Sequence, residues 1–394
     1  MTSKKYANQG NYSIYLFILL MTEFINSFLR AKNFVPLGVS VGFRRIIFIF
    51  FLINFIWITT KNIASSMKIS VKSINSYLGI FCFACYVILI YLLKNSSYDL
   101  TEILNLVSWW IVPVLFYHYG MPDNKKLFST IIFLFVAVYF VLYLMFVINS
   151  EVFIWNNPEL VNSIYYMIAI IPLLLFVENR FFRISILIMV VAATVLSLKS
   201  TAIIIVIVSL FCYLINMGNT LNKYLKRIGI IFCLLILSIP LLSIVEQLFD
   251  VNIIGTLMEN LNDGGNGRAD IWENVINHFN QGKISEKIFG FGFDTSSRLF
   301  GLATHNDFIG VMFDFGVVGL MIMAESFIAL WITARRCFKG EKIYIAISLM
   351  MVQTIFLFLF SNVLFTSKYN LILFATYSLI MSSANKEYNG RITV

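Results

Sequence analysis

Three polar residues in a row, His305, Asn306 and Asp307, stand where a polar segment runs into a long apolar one. Histidine titrates near neutrality, so a placed imidazole can accept a proton from a hydroxyl at working pH. Asn306 or Asp307 can orient that ring or hold the hydroxyl. The alternative is a purely structural histidine, the usual reading of a lone imidazole. Upstream, Arg268 follows the flexible run Gly264-Gly265-Asn266-Gly267 and opens a helical pattern. A helix N-terminus with an arginine beside it suits phosphate or pyrophosphate oxygens. The same arginine can instead snorkel or pair with Asp270. Lys199 stands in the junction Leu198-Lys199-Ser200-Thr201, too short to leave a membrane surface. A cation pinned there needs an anionic partner, either a lipid headgroup or a substrate phosphate. Arg44 and Arg45, with Arg30 and Lys32 nearby, form another cationic cluster open to the same two readings.

The elements that must position these residues are membrane helices. The chain is 59% hydrophobic and 12% charged, with mean hydropathy +0.85; soluble domains average about a quarter charged. Apolar stretches near the length needed to cross a hydrocarbon core of about 30 Å recur from end to end. The fold class expected is all-α: a polytopic integral membrane protein with about 12 transmembrane helices and one large extracytoplasmic loop carrying amphipathic helices. The spans are placed near 13–29, 46–60, 77–93, 103–120, 128–148, 162–177, 184–198, 201–216, 229–246, 308–331, 343–361 and 370–383. That divides the chain into helices 1–9 over 1–246, the loop over 247–307, and helices 10–12 with a tail over 308–394. Placing the N-terminus inside puts most of the 29 lysines and arginines on inner segments, so both termini are expected in the cytoplasm.

The segment 247–307 exceeds every other connection, and long loops are uncommon unless functional. Ile254, Leu257, Met258 and Leu261 fall at helical spacing, and so do Trp272, Val275, Ile276 and Phe279. Both stretches read as amphipathic helices able to lie flat at the headgroups, with Trp272 as an interface anchor and a candidate substrate contact. Gly290-Phe291-Gly292 supplies a turn before His305. Asp314, about two helical turns beyond His305, can support the site; Glu23 and Glu325 have no evident role. His118 and His278 read as structural. Of the cysteines, Cys82, Cys85, Cys212 and Cys233 fall inside spans and Cys337 on the inner side, so packing is expected rather than a disulfide or redox pair.

Several chemistries are excluded by motif. No GxxxxGK[ST] occurs, and no HExxH, EF-hand loop, Cys/His cluster or GxSxG. No metal site, cofactor or nucleic-acid partner is expected, and an enzyme built this way must draw its energy from the substrate.

The order Gly267-Arg268-Ala269-Asp270-Ile271-Trp272, Gly290-Phe291-Gly292, Thr304-His305-Asn306-Asp307-Phe308 and Gly316-Val317-Val318-Gly319-Leu320 resembles the O-antigen polymerase and O-antigen ligase superfamily. Ser197-Leu198-Lys199-Ser200-Thr201 is similar to the family's basic turn, which more often carries arginine. The resemblance implies a metal-independent glycosyltransferase on the outer face of the bacterial plasma membrane. Its donor is an oligosaccharide linked to undecaprenyl pyrophosphate. His305 would take the proton of the attacking hydroxyl. Arg268, with Lys199 and Arg44 or Arg45, would stabilise the departing diphosphate. A flippase and a chain-length regulator of the same pathway are implied partners, beside the lipid bilayer. Polymerase is expected over ligase, which differs in acceptor. The different-class alternative is a lipid-linked oligosaccharide flippase, but such carriers place polar residues at the bilayer midplane, which here is nearly bare of charge.

Overall fold

The computed structural model describes residues 12–22, 25, 26, 29, 37–64, 71–94, 100–120, 124–149, 158–197, 199–216, 247, 268–301, 304–338, 342–361, 364 and 371–382. Every regular element among them is helical. In chain order these are α1 (Tyr12–Thr22), α2 (Leu37–Ala64), α3 (Val71–Lys94), α4 (Leu100–Tyr119), α5 (Lys125–Asn149), α6 (Pro158–Ala169), a 3-10 turn (Ile171–Phe176), α7 (Arg180–Leu196) and α8 (Ser200–Asn216). There follow α9 (Arg268–Gln281), α10 (Ile284–Phe289), α11 (Thr295–Phe300), α12 (Asp307–Phe338), α13 (Lys342–Phe360) and α14 (Leu371–Ser382). Among the described residues, Val39–Thr60, Lys125–Met145, Asp307–Thr333 and Lys342–Phe360 are long and apolar enough to cross a membrane, and shorter apolar helices accompany them. Ile46, Trp57, Leu93, Ile188 and Met321 are exposed, an apolar surface that requires lipid. The chain is a polytopic helical membrane protein. The span expected at 229–246, the helix expected at 254–261, Arg30, Lys32, Glu23 and Cys233 fall outside the described residues.

Two helices differ instructively from the expected spans. α2 runs through Arg44 and Arg45 instead of starting after them. Arginine lowers hydropathy but is a good helix former, so the charge pair does not end the helix. The span expected at 162–177 is interrupted after Ala169, where Pro172 enters. Proline has no N–H to offer the carbonyl four residues back. That carbonyl, on Ile168, instead receives the Gln353 side-chain amide at 3.3 Å, and Gln353 also donates to Ser209 Oγ at 2.9 Å. One buried glutamine thus ties α6, α8 and α13 together.

α12 carries the second interruption. Gly316 has φ 71° and ψ −175° within an otherwise continuous helix. The freed carbonyls find new donors: Phe291 N–H bonds Phe313 O at 3.0 Å, Gly292 N–H bonds Asp314 O at 3.0 Å, and Tyr86 of α3 donates to Phe315 O at 2.9 Å. Lys94, at the end of α3, donates to Gly290 O. Gly290 itself has φ 79° and ψ 177°. Both glycines occupy a region essentially closed to residues with a Cβ. A Cβ on Gly290 would stand 2.2 Å from Asp314 O, and one on Gly316 would stand 2.2 Å from Ile288 O. The two glycines therefore form a backbone clasp that joins the α10–α11 connection to α12. Asp314 strengthens it: buried, it accepts from Ser296 N–H at 2.9 Å and Ser296 Oγ at 3.3 Å. Its part is to hold α11.

α3 packs along α12, with Gly79 so close to Ser326 that a Cβ would lie 2.8 Å from its Cα; small residues at such contacts are how membrane helices approach without a hydrophobic drive. The apolar face of α9 does not lie on headgroups. Val275 and Phe279 pack on Phe313, with Ile271, Phe291, Phe300, Ile309 and Met312 around them, while Ile276 is exposed. Exposed His278 packs its ring beside Phe291, Phe300 and Phe313. His118 is half-buried beside the Tyr119 ring.

The clasp makes a prediction. Gly290→Ala should prevent normal assembly: the disfavoured backbone conformation costs about 1–3 kcal/mol, and the overlap is with backbone that cannot move aside. Gly42→Ala, with nothing within 4 Å of the added methyl, should leave the thermal midpoint in detergent unchanged. Equal midpoints for the two variants would refute the clasp.

Candidate functional site

α7 ends at Leu196, and Ser197 builds the turn that follows: its Oγ donates to Thr194 O at 2.7 Å and accepts from Lys199 N–H at 3.3 Å. The hydroxyl thereby replaces partners the helix end lacks. The turn directs Lys199 towards α6, where its Nζ lies 4.7 Å from the centroid of the Tyr165 ring. Two residues on, Thr201 Oγ1 donates to Phe360 O at 3.4 Å.

Phe360 closes α13, so its carbonyl has no intrahelical donor and sits at the negative end of the helix dipole. Arg268 Nη1 donates to the same oxygen at 3.1 Å. The start of α8, the start of α9 and the end of α13 therefore meet at one carbonyl. Asp270, the alternative partner considered for Arg268, lies two positions further along α9 and is exposed.

His305 lies in a short connection whose neighbours are all fixed. Trp272 Nε1 donates to Thr304 O at 2.6 Å, and Thr304 Oγ1 donates to Asn306 O at 2.9 Å. Asn306 Oδ1 accepts from Ile309 N–H at 3.1 Å, as an N-cap of α12 does. Asp307 is 1% exposed and its Oδ2 accepts from Leu364 N–H at 3.0 Å. Held on both sides, His305 adopts φ 50°, a conformation uncommon for residues with a side chain and more often seen at functional positions. Trp272 and Asn306 thus act on the backbone of the histidine connection.

The charges act on one another across these pieces. Burial, the Arg268 charge and the Lys199 charge together hold the His305 imidazole at a pKa of about 4. Burial and then Arg268 bring Lys199 down to about 7. Burial also lowers Arg268, an effect too small to discharge a guanidinium. At neutral pH the imidazole is uncharged with its lone pair available. Arg268 and a partly protonated Lys199 supply positive potential beside it, in surroundings of low polarity where charges act strongly. Such a site can bind an anion and can receive a proton.

Arg268, Lys199 and His305 are brought together, with Asp307 close to Tyr165. Arg44 and Arg45 stand on α2, which packs on α4, with Arg44 buried and Arg45 exposed. Tyr165 and the Phe360 carbonyl were not found from sequence. A tyrosine in a span rich in aromatics carries no distinguishing signal, and a backbone carbonyl carries none at all.

Residues 184–324 match the family model described as O-antigen ligase. The O-antigen ligase segment runs from α7 into α12 and so takes in the Lys199 turn, Arg268, the clasp glycines and His305. It is consistent with the O-antigen polymerase and ligase superfamily and supports an activity of that type. Tyr165 and Phe360 lie outside the O-antigen ligase match. No curated protein matches the chain.

The electrostatic arrangement is directly measurable. With 3 histidines in the chain, imidazole NMR resonances can be assigned by substitution. His305 should titrate well below the ordinary histidine value of about 6.5. Lys199→Met should move it upward, because a repelling charge has gone, and saturating pyrophosphate should do the same. A His305 that titrates normally and ignores both changes would disprove the juxtaposition.

Proposed function

We propose that the protein is a polysaccharide polymerase of O-antigen or capsular type. In this reading it moves a glycan from undecaprenyl pyrophosphate to a sugar hydroxyl of a lipid-linked repeat unit. The site faces the periplasmic side of the bacterial inner membrane, both termini are cytoplasmic, and a flippase and a chain-length regulator work beside it. The observation that carries the reading is the convergence of Arg268 and Lys199 on His305.

The reaction uses each group once. The acceptor hydroxyl attacks the anomeric carbon of the donor and its proton passes to the His305 imidazole. The new carbon–oxygen bond forms as the anomeric carbon–phosphate oxygen bond breaks. The electron pair leaves with undecaprenyl pyrophosphate, whose growing negative charge Arg268 and Lys199 stabilise. Binding the diphosphate between the two cations offsets them and raises the proton affinity of His305, so the base strengthens when substrate is present. Asn306 and Asp307, already bonded to backbone, keep the imidazole connection in place and can still meet a sugar hydroxyl. Arg44 and Arg45 remain candidates for contact with a lipid-borne phosphate along α2. No nucleotide or metal is required, since the donor is already activated.

Transfer to lipid A-core by a ligase is the second reading, favoured by the description of the matching family. The two differ in acceptor and separate on gene loss: a polymerase null leaves a single repeat unit on core, whereas a ligase null leaves core bare. A flippase reading has less support, because the ionisable residues of the site stand at helix starts and turns: Lys199 before α8, Arg268 opening α9 and His305 before α12.

His305→Ala and Arg268→Ala should each lower transfer by at least about 100-fold, abolishing long-chain polysaccharide while the protein still inserts at normal abundance. Wild-type glycan ladders from both variants would remove the assignment.

A further inference from the structure

Tyr165 takes part in no step above, yet its ring lies against one cation of the site and the charge of the other reaches it. It is 0% exposed on α6, with the Lys199 ammonium 4.7 Å from its ring centroid. Its hydroxyl end lies among Thr201, Ser361, Arg268 and Asp307. The ring meets Lys199, and the charge of Arg268 acts on the same tyrosine.

An ammonium is strongly hydrated, and the short turn that carries Lys199 places it where water is scarce. Among the groups around it are Tyr165 from α6, Arg268 from α9 and His305 from the connection before α12, with Asp307 near the tyrosine. Arg268 repels it. An aromatic face attracts a cation through its quadrupole without neutralising it. A carboxylate in the same place would hold the lysine more firmly but would cancel the charge that an anion needs. A ring therefore fits a lysine that must keep its charge.

We propose that Tyr165 is a positioning residue, an aromatic platform that holds the Lys199 ammonium towards the anion-binding site beside Arg268. This rests on the reading that Lys199 and Arg268 bind a diphosphate, and it assigns a part to a residue outside the segment shared with the family.

The test is calorimetric binding of inorganic pyrophosphate to the full-length protein in nanodiscs, at several pH values across neutrality. Tyr165→Phe keeps the ring and should bind within about threefold of wild type. Tyr165→Leu removes it and should weaken binding about 3- to 30-fold. In a Lys199→Met background the same Leu substitution should change nothing further, because the group it served is gone. Wild-type affinity should fall as pH rises through the Lys199 titration, even though the ligand gains charge. In Tyr165→Leu that fall should begin at lower pH, since the ammonium has lost a stabilising neighbour. The platform is refuted if Leu binds like wild type, if Phe is as weak as Leu, or if Leu costs as much without Lys199 as with it. Should Lys199→Met and Arg268→Ala bind pyrophosphate like wild type, the diphosphate reading itself falls and takes the platform with it.

Discussion

Backbone groups inside a membrane cannot turn to water, so an interrupted helix survives only where protein supplies the missing partners. The break at Gly316 is where this chain meets that demand, and the rest of the site depends on how it is met. The orphaned carbonyls of α12 are claimed by Phe291, Gly292 and Tyr86. That exchange fixes the α10–α11 connection to the bundle, and α9 then packs its Val275–Phe279 face against Phe313. Arg268 opens α9 and His305 precedes α12, so the clasp sets the frame from which both side chains reach. A glycine pair that at first resembles a flexible turn is a tightly constrained point in the assembly, because a Cβ on either would collide with the backbone of the facing segment.

Within that frame the chemistry follows from a shortage of water. Lys199 and Arg268 are brought together although their charges repel: burial lowers the proton affinity of both, and Arg268 lowers that of Lys199 further. His305 beside them is held neutral. Two neighbouring cations in surroundings of low polarity repel, and an anion placed beside both would relieve that repulsion. In the proposed reaction, binding of a diphosphate and readiness of the base would be one property: an anion that offsets two cations also raises the imidazole's affinity for a proton.

Much of this was legible in the sequence, for identifiable reasons. Hydropathy located α3, α5, α8 and α13 because long apolar runs have few alternatives in a chain of this composition. Arg268, Lys199 and His305 stood out because ionisable residues at membrane boundaries are expensive and therefore few. Hydropathy was less able to see continuity or its loss. It started the second span after Arg44 and Arg45, although arginine suits a helix, and it ran through Pro172 and Gly316, although neither sustains one. The face of α9 was read correctly as apolar but assigned to lipid. Periodicity says that a face must be covered and is silent on what covers it, and here the cover is Phe313, Phe291 and Phe300.

The partners that sequence could not supply share a character. Phe360 contributes only a carbonyl, the unpaired end of α13, and Tyr165 contributes a ring within a chain that is 16% aromatic. Both lie outside the O-antigen ligase match, whereas the ionisable groups they serve lie within it. Such a division is what the physics favours. Charge transfer and leaving-group stabilisation need particular side chains at particular places, so those positions carry a recognisable pattern. Holding a guanidinium at a helix C-terminus needs any residue with a free carbonyl, and holding an ammonium needs a face of electron density at about the right distance. The flanking helices can satisfy those needs with many sequences. The reactive groups are thus specified by type, while the wall behind them is specified by geometry that many sequences could meet.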